Sequence, residues 1–389
     1  MKKFFKKIFS NKKIMTIMTI LILIIIGIII VFVTYSKNKN FREWMDKNIF
    51  QKEKMQNNLP SVEIDEINTS NIFAFNKYIG ILNKNNLTIY DSIGNKANEL
   101  TVEVTTPVTS SESRYLAIGE EKGQKLYLIA DKEIQWEKDV EGNISQIVVN
   151  RNGYVAVSIV DTNYKTVIAV YNSKGDLLFK RFLATTRVIA TSLSNDNKYL
   201  AFAQIDTSGT MPQSKINIIS IDKASSGSED AEEETYDAGT NSLIVNIQYQ
   251  DKNKLLCMYT NKITKIVDKK EETVNEFSDK KIAFSSVELE NSSLTIEEKS
   301  SGIFSSESDV KIKNSDSGQE NIYTSDSIIK EIYTADNSIA LNYGSEINFI
   351  NSNGWLLKNY KAEQEITGIT LSNSIAGIIY RDKVEIISL

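Results

Sequence analysis

A short pattern returns along most of this chain: a polar turn, then a large residue, an aliphatic one and a small one. It reads Tyr78-Ile79-Gly80, Tyr115-Leu116-Ala117, Tyr154-Val155-Ala156 and Tyr199-Leu200-Ala201. Looser copies are Leu255-Leu256-Cys257, Ser293-Leu294-Thr295, Ser338-Ile339-Ala340 and Ser374-Ile375-Ala376. The small positions fall about 40 residues apart. The clearest unit, 144–183, reads ISQIVVN, YVAVSIV, TVIAVYN and LLFKRFL, separated by the turns RNG, DTNYK and SKGD. Runs rich in β-branched and aromatic residues, split by Asn, Asp, Ser and Gly, predict strands joined by tight turns. Four strands at this period predict an all-β fold, a β-propeller. Blades that radiate from an axis pack face to face, so a second strand has room for only a small side chain.

Eight copies favour eight four-stranded blades over residues 61–389, roughly 41 residues each. Seven blades are the alternative, because units five and six are the least regular. The last unit offers only three strands, EITGITLS, SIAGIIY and KVEIISL, while SVEIDEI at 61–67 precedes the first. If 61–67 completes the last blade, the two ends of the domain close the ring and remove its exposed edges. The one long interval, between Ala201 and Cys257, holds the acidic stretch ASSGSEDAEEETYDAGT at 224–240. It has no apolar periodicity and predicts an acidic flexible loop between blades four and five. A cation site is the other reading, but the D-x-[DN]-x-[DN]-G spacing of a calcium loop is missing.

Ahead of the repeat, IMTIMTILILIIIGIIIVFV at 14–33 carries no charge. As a helix it is roughly 30 Å long, the thickness of a bilayer's hydrocarbon core. It is longer than a signal-peptide core, and the exit FVTYSKNKN lacks a small-residue cleavage pattern. The expectation is one transmembrane helix over 14–34 that holds the chain to membrane lipid. Lys2, Lys3, Lys6, Lys7, Lys12 and Lys13 precede it without an acid, which places 1–13 as a basic cytoplasmic N-terminus and the propeller outside the cytoplasm. Residues 35–60 read as a partly helical stalk. Phe41, Trp44, Met45 and Ile49 recur at helical spacing, either as a spacer or as an interfacial helix, and Pro60 ends it.

The stretch NRNGYVAVSIV…YNSKGDLLFK, with SLSNDNKYLAFAQIDTSGTMPQSKINIIS after it, resembles an uncharacterised family of membrane-anchored propeller proteins from low-GC Gram-positive bacteria. That family has a short basic N-terminus, one transmembrane helix and a WD40-like or quinoprotein-like propeller. The resemblance is strongest over 104–222 and fades over 260–325. It implies fold and membrane location, and no activity. No WD dipeptide occurs, and the single Cys removes the vicinal pair found in many quinoprotein dehydrogenases.

Among 389 residues there is no His and one Cys. That excludes Ser-His-Asp and Cys-His catalysis within the chain, HExxH zinc sites, His-ligated haem and an intrachain disulfide framework. No phosphate-binding glycine loop occurs. Fifty Asp and Glu keep carboxylate chemistry open, but no fixed spacing marks a pair. The sequence therefore nominates no catalytic, cofactor-binding or metal-binding residue, and no cofactor. Cys257 reads as a small buried hydrophobe. Trp136 and Trp355 read as packing between blades, with ligand stacking as the other role. The tyrosines that open second strands read as core. A net charge of −5 argues against nucleic acid. The expected role is a protein-binding scaffold among envelope proteins. A glycan or small-ligand sensor on the propeller face is the alternative, and a carboxylate-dependent cell-wall hydrolase comes third.

Overall fold

In the computed structural model of the chain, the recurring small residue sits in the second strand of each of eight four-stranded antiparallel sheets. Residues 12–37, 41, 45, 59–65, 69–250, 253–277, 281–300 and 306–389 are described. Two compact units divide the chain, Met1–Lys54 and Met55–Leu389.

The second unit is the propeller. Its blades begin with the inner strands Ile72–Phe75, Pro107–Glu112, Asn143–Val149, Arg187–Leu193, Ile244–Tyr249, Ile282–Ser286, Glu331–Ala335 and Gly368–Leu371. Blades 1 to 7 each run inner to outer in chain order. Blade 8 is completed by Ser61–Glu63, which pairs with Lys383–Ser388 as its outermost strand. The ring thus closes between the domain's two ends, and eight blades, not seven, are present. The small residues Ala117, Ala156, Ala201, Cys257, Ala340 and Ala376 are all at most 1% exposed. Their partners on the flanking strands are mostly larger: Ala156 faces Val148 and Val170, and Ala340 faces Tyr333 and Phe349.

An inner strand is an edge strand and leaves half of its backbone groups without a ladder partner. Hydroxyl side chains on the neighbouring blade supply acceptors. Ser110 Oγ accepts from Val149 N at 3.1 Å, Ser192 Oγ from Tyr249 N at 2.8 Å and Thr370 Oγ1 from Ala74 N at 2.6 Å. The Ser and Thr content of the inner strands is therefore structural as well as polar.

The acidic stretch 224–240 departs from the flexible-loop expectation. It begins in a short helix, Ile221–Ser225, whose Ile221 packs with Leu200 and Phe202. A single 3-10 turn, Glu229–Ala231, follows. Glu232–Asp237 then forms the outer strand of blade 4, with Ile216 opposite Tyr236 and Ile218 opposite Glu234. Backbone pairing and the Lys223–Glu233 and Arg181–Glu232 ion pairs at 2.6 and 2.7 Å hold a segment that apolar burial does not.

In the first unit, one helix runs Lys12–Lys37. Its side chains between positions 20 and 33 are exposed, Leu23 at 62% and Ile28 at 63%. Among the described residues no helix is long and apolar enough to cross a membrane. The described side chains of this helix begin at Thr19, so positions 14–18 of the apolar run lie outside that statement. The expected 14–34 span is accordingly a helix here and not a demonstrated membrane crossing. The basic segment 1–11 and most of the stalk, all but 35–37, Phe41, Met45 and 59–60, lie outside the described residues.

Candidate functional site

The turns that lead from inner to second strands gather around the axis at one end of the ring. Several are two-residue reversals that need a left-handed residue, which favours Asn and Asp. Asn76 and Asp336 both sit there, each at φ 49°. In blade 3 the turn is longer. Asn150 Oδ1 accepts from the backbone N–H of Asn152 and of Tyr154, each at 3.0 Å, while Gly153 N donates to Asn150 O at 2.9 Å. Gly153 adopts φ 79°, and the ring of Tyr115 from blade 2 lies 2.8 Å from where a Cβ would stand. The Asn150 side chain, 3% exposed, also donates through Nδ2 to Ser194 O at 2.9 Å and Asn197 Oδ1 at 2.7 Å in blade 4. This knot fixes the backbone of Arg151 at the axis.

The axis encloses a cavity of about 830 Å³ with walls from all eight blades. Its lining is mostly hydroxyl, amide and carboxylate, with Val148, Val149, Ile247, Ala335 and Leu371 between them; among the described residues that line it there is no Trp, Tyr or Phe. Four acids face it: Glu112, Glu288, Glu290 and Asp336. Arg151 of blade 3 reaches across the axis. Its Nη2 lies 3.8 Å from Glu112 Oε1 of blade 2 and 3.8 Å from Glu290 Oε1 of blade 6. Glu288 accepts from Thr334 Oγ1 at 2.9 Å, and Thr334 shares a 2.8 Å hydrogen bond with Ser286. Burial pushes the Asp336 carboxyl above its usual range, with the Arg151 charge opposing that shift. The four acids come from blades 2, 6 and 7, and among the described residues no group of three Asp, Glu, Cys or His is placed to hold one metal ion. Chemically, the cavity is an anionic, hydrogen-bonding chamber with one guanidinium held inside it.

The residues singled out in the sequence lie away from this chamber. Cys257 is fully buried between blades 4 and 5, and burial pushes its thiol well up. Trp136 is buried between blades 2 and 3, 5.9 Å from the Tyr171 ring and against Gly175. Trp355 is 36% exposed on the outer side of blade 7, so it is not an interblade core residue. Tyr78 is buried, whereas Tyr115, Tyr154 and Tyr199 are partly buried against neighbouring clusters. None of the five charged axial residues stood out in the sequence. A signal existed: Arg151, Glu290 and Asp336 each fall in the turn just ahead of the recurring tripeptide, and Glu112 is the last strand residue before such a turn.

Residues 48–389 match a family of unknown function, DUF5711, and the chain belongs to that family. No curated protein matches the sequence. Among solved structures, BamB from Moraxella catarrhalis is similar at a TM-score of 0.51 and 13% identity, covering 87% of this chain and 99% of that one. Sqt1 of Chaetomium thermophilum, bound to the N-terminus of the ribosomal protein L10, is similar at 0.53 and 8% identity, covering 85% and 100%. The Dos1 propeller is similar at 0.50 and 14% identity, covering 76% and 80%. At these identities the likeness shows the propeller fold.

Proposed function

Starting from that family membership, we propose that the chain is a membrane-tethered propeller that works outside the cytoplasm as a protein-binding scaffold in the cell envelope. The observation that carries this reading is the axial chamber: a largely polar cavity of about 830 Å³, lined by the inner strands of a closed ring and by the turns at one end of it. Its size falls within the usual range for binding sites, roughly 300–1,000 Å³. Sqt1, on the same fold, is a propeller bound to a protein N-terminus, which supports a protein partner as the occupant class.

The tether is residues 14–34, supported by an uncharged run about as long as a bilayer core is thick and by the exposure of its apolar side chains between positions 20 and 33. The unopposed lysines before it favour a cytoplasmic N-terminus. Pro60, where the chain enters the ring, lies beside Gly94, in the turn before the outer strand of blade 1. That turn lies at the same end of the antiparallel sheets as the turns that line the chamber.

An enzymatic role finds less support. Glu112 and Glu290 both lie against the Arg151 guanidinium, 3.8 Å from its Nη2, which favours two ionised carboxylates over the protonated acid that glycoside hydrolysis needs. A sugar sensor would use aromatic faces, and none is among the described residues that line the chamber.

In-membrane chemical crosslinking of the tagged full-length chain tests the proposal. It predicts that the chain sediments with membranes and yields the same protein adduct in repeated purifications. A chain found in the soluble fraction would contradict the tether. An absence of any reproducible protein adduct would contradict the scaffold.

A further inference from the structure

The chamber's chemistry narrows the kind of partner, and this step rests on the scaffold reading. We propose that the axial mouth receives a Lys- or Arg-bearing segment of a partner protein, with the cationic side chain entering between Glu288, Glu290 and Asp336.

Several observations converge on an organic cation carried by a peptide. First, the mouth is anionic: four carboxylates face a single guanidinium. Second, the acids are spread over three blades and do not converge as a metal site would, among the described residues. A side chain with several N–H donors can reach acceptors distributed in this way, whereas one ion requires them at one point. Third, a guanidinium is already accommodated: Arg151 lies 3.8 Å from carboxylates on blades 2 and 6 at once. The geometry of the ring therefore suits this chemical group. Fourth, the wall between the charges carries Ser, Thr, Asn and Gln among a few aliphatic residues, and these polar side chains can donate to and accept from the backbone of an inserted segment. The chamber is also far larger than one side chain needs, so it has room for several residues. Charge complementarity of this sort sets orientation and partner choice more than it sets total affinity.

The test uses the full-length chain in a nonionic detergent and isothermal titration with two capped pentapeptides. One carries lysine and arginine between glycines, and the other carries glutamate at the same places. The proposal predicts one-to-one binding of the basic peptide and none of the acidic one. It predicts about tenfold weaker binding in the Glu290→Gln/Asp336→Asn double variant, and weaker binding at higher salt. Should the double variant fail to fold, Glu288→Gln replaces it, since that side chain is exposed to the chamber and its loss empties no core. Equal affinity in wild type and variants would overturn the proposal, because the peptide would then bind elsewhere. So would equal binding of the acidic peptide, no binding of the basic one, or calcium chloride displacing it at micromolar concentration. A partner recovered from membranes whose crosslinks map to the outer circumference would overturn this proposal and leave the scaffold reading standing.

Discussion

Val62 lies directly opposite Val384 in an antiparallel pairing, with Ser61 facing Glu385 and Glu63 facing Lys383. Three residues from the start of the domain thereby complete the sheet made by its end. Val62 is buried with Ile375, Ile379 and Ile386, while Ser61 and Glu63 point outward. Val62→Asp should therefore loosen the whole ring, at a cost of about 1–3 kcal/mol for an unpaired polar group in apolar surroundings. Glu63→Ala should stay within about 0.5 kcal/mol of wild type. Thermal unfolding of both variants checks this; equal melting would show that the clasp does not carry the closure.

Ala156 faces Val148 and Val170 on the two flanking strands and packs with Leu200 and Phe202 of blade 4. Ala156→Leu adds bulk where two sheets already touch, and overpacking of this kind costs about 1–3 kcal/mol. Ser173→Leu, in the turn after the third strand of the same blade, should cost about 0.5 kcal/mol or less. Denaturant unfolding of the pair should separate them clearly. Coincident curves would mean that the small position does not set the blade spacing.

Asn150 and Asp91 make the same local turn with different surroundings. Asp91 Oδ1 accepts from Ile93 N at 3.0 Å and Asn95 N at 2.9 Å on the surface. Asn150 makes the equivalent pair while buried, and adds two bonds to blade 4. Asn150→Ala should cost about 1–3 kcal/mol, since buried groups lose their partners. Asp91→Ala, where water replaces the lost acceptor, should cost about 1 kcal/mol or less. A measured order opposite to this would remove the blade 3 turn as the element that fixes Arg151.

Much of this fold can be read from the residues because the period of the small position is set by packing. Ala117, Ala156 and Ala201 are small since sheets meet there, so their spacing counts blades. The closing strand is equally legible, because the last unit is one strand short. Outer strands are not legible in the same way. EEETYD at Glu232–Asp237 lies near solvent on both faces, so its burial pattern carries no apolar alternation and its backbone pairing leaves no mark on composition. The axial site is hidden for another reason. Asp336 and Asn76 occupy turn positions that demand Asn or Asp for backbone reasons alone, so their place at the axis emerges only from the closed ring. Trp355 looked like core by residue type, yet its turn carries it to the outside.

Asp336 gives the chamber a pH signature. Burial raises its folded-state pKa above the unfolded value. Such a group contributes most to stability below the unfolded pKa, and that contribution is lost as pH rises through the folded pKa. Asp336→Asn should therefore raise the melting temperature slightly at pH 7, with the gain fading as pH falls through the carboxylate range. A variant that is less stable than wild type at pH 7 would show that Arg151 outweighs burial at this site.

The scaffold reading turns on whether the axial mouth meets another protein in the membrane. A photoreactive benzoylphenylalanine at Asn373, on the chamber rim, and another at Ile93, 66% exposed on the turn before the outer strand of blade 1, would report this in intact cells. After irradiation, the rim position should give a discrete, reproducible protein adduct, and the Ile93 position should give none. Adducts from Ile93 alone, or none from Asn373, would contradict a binding platform centred on the axis.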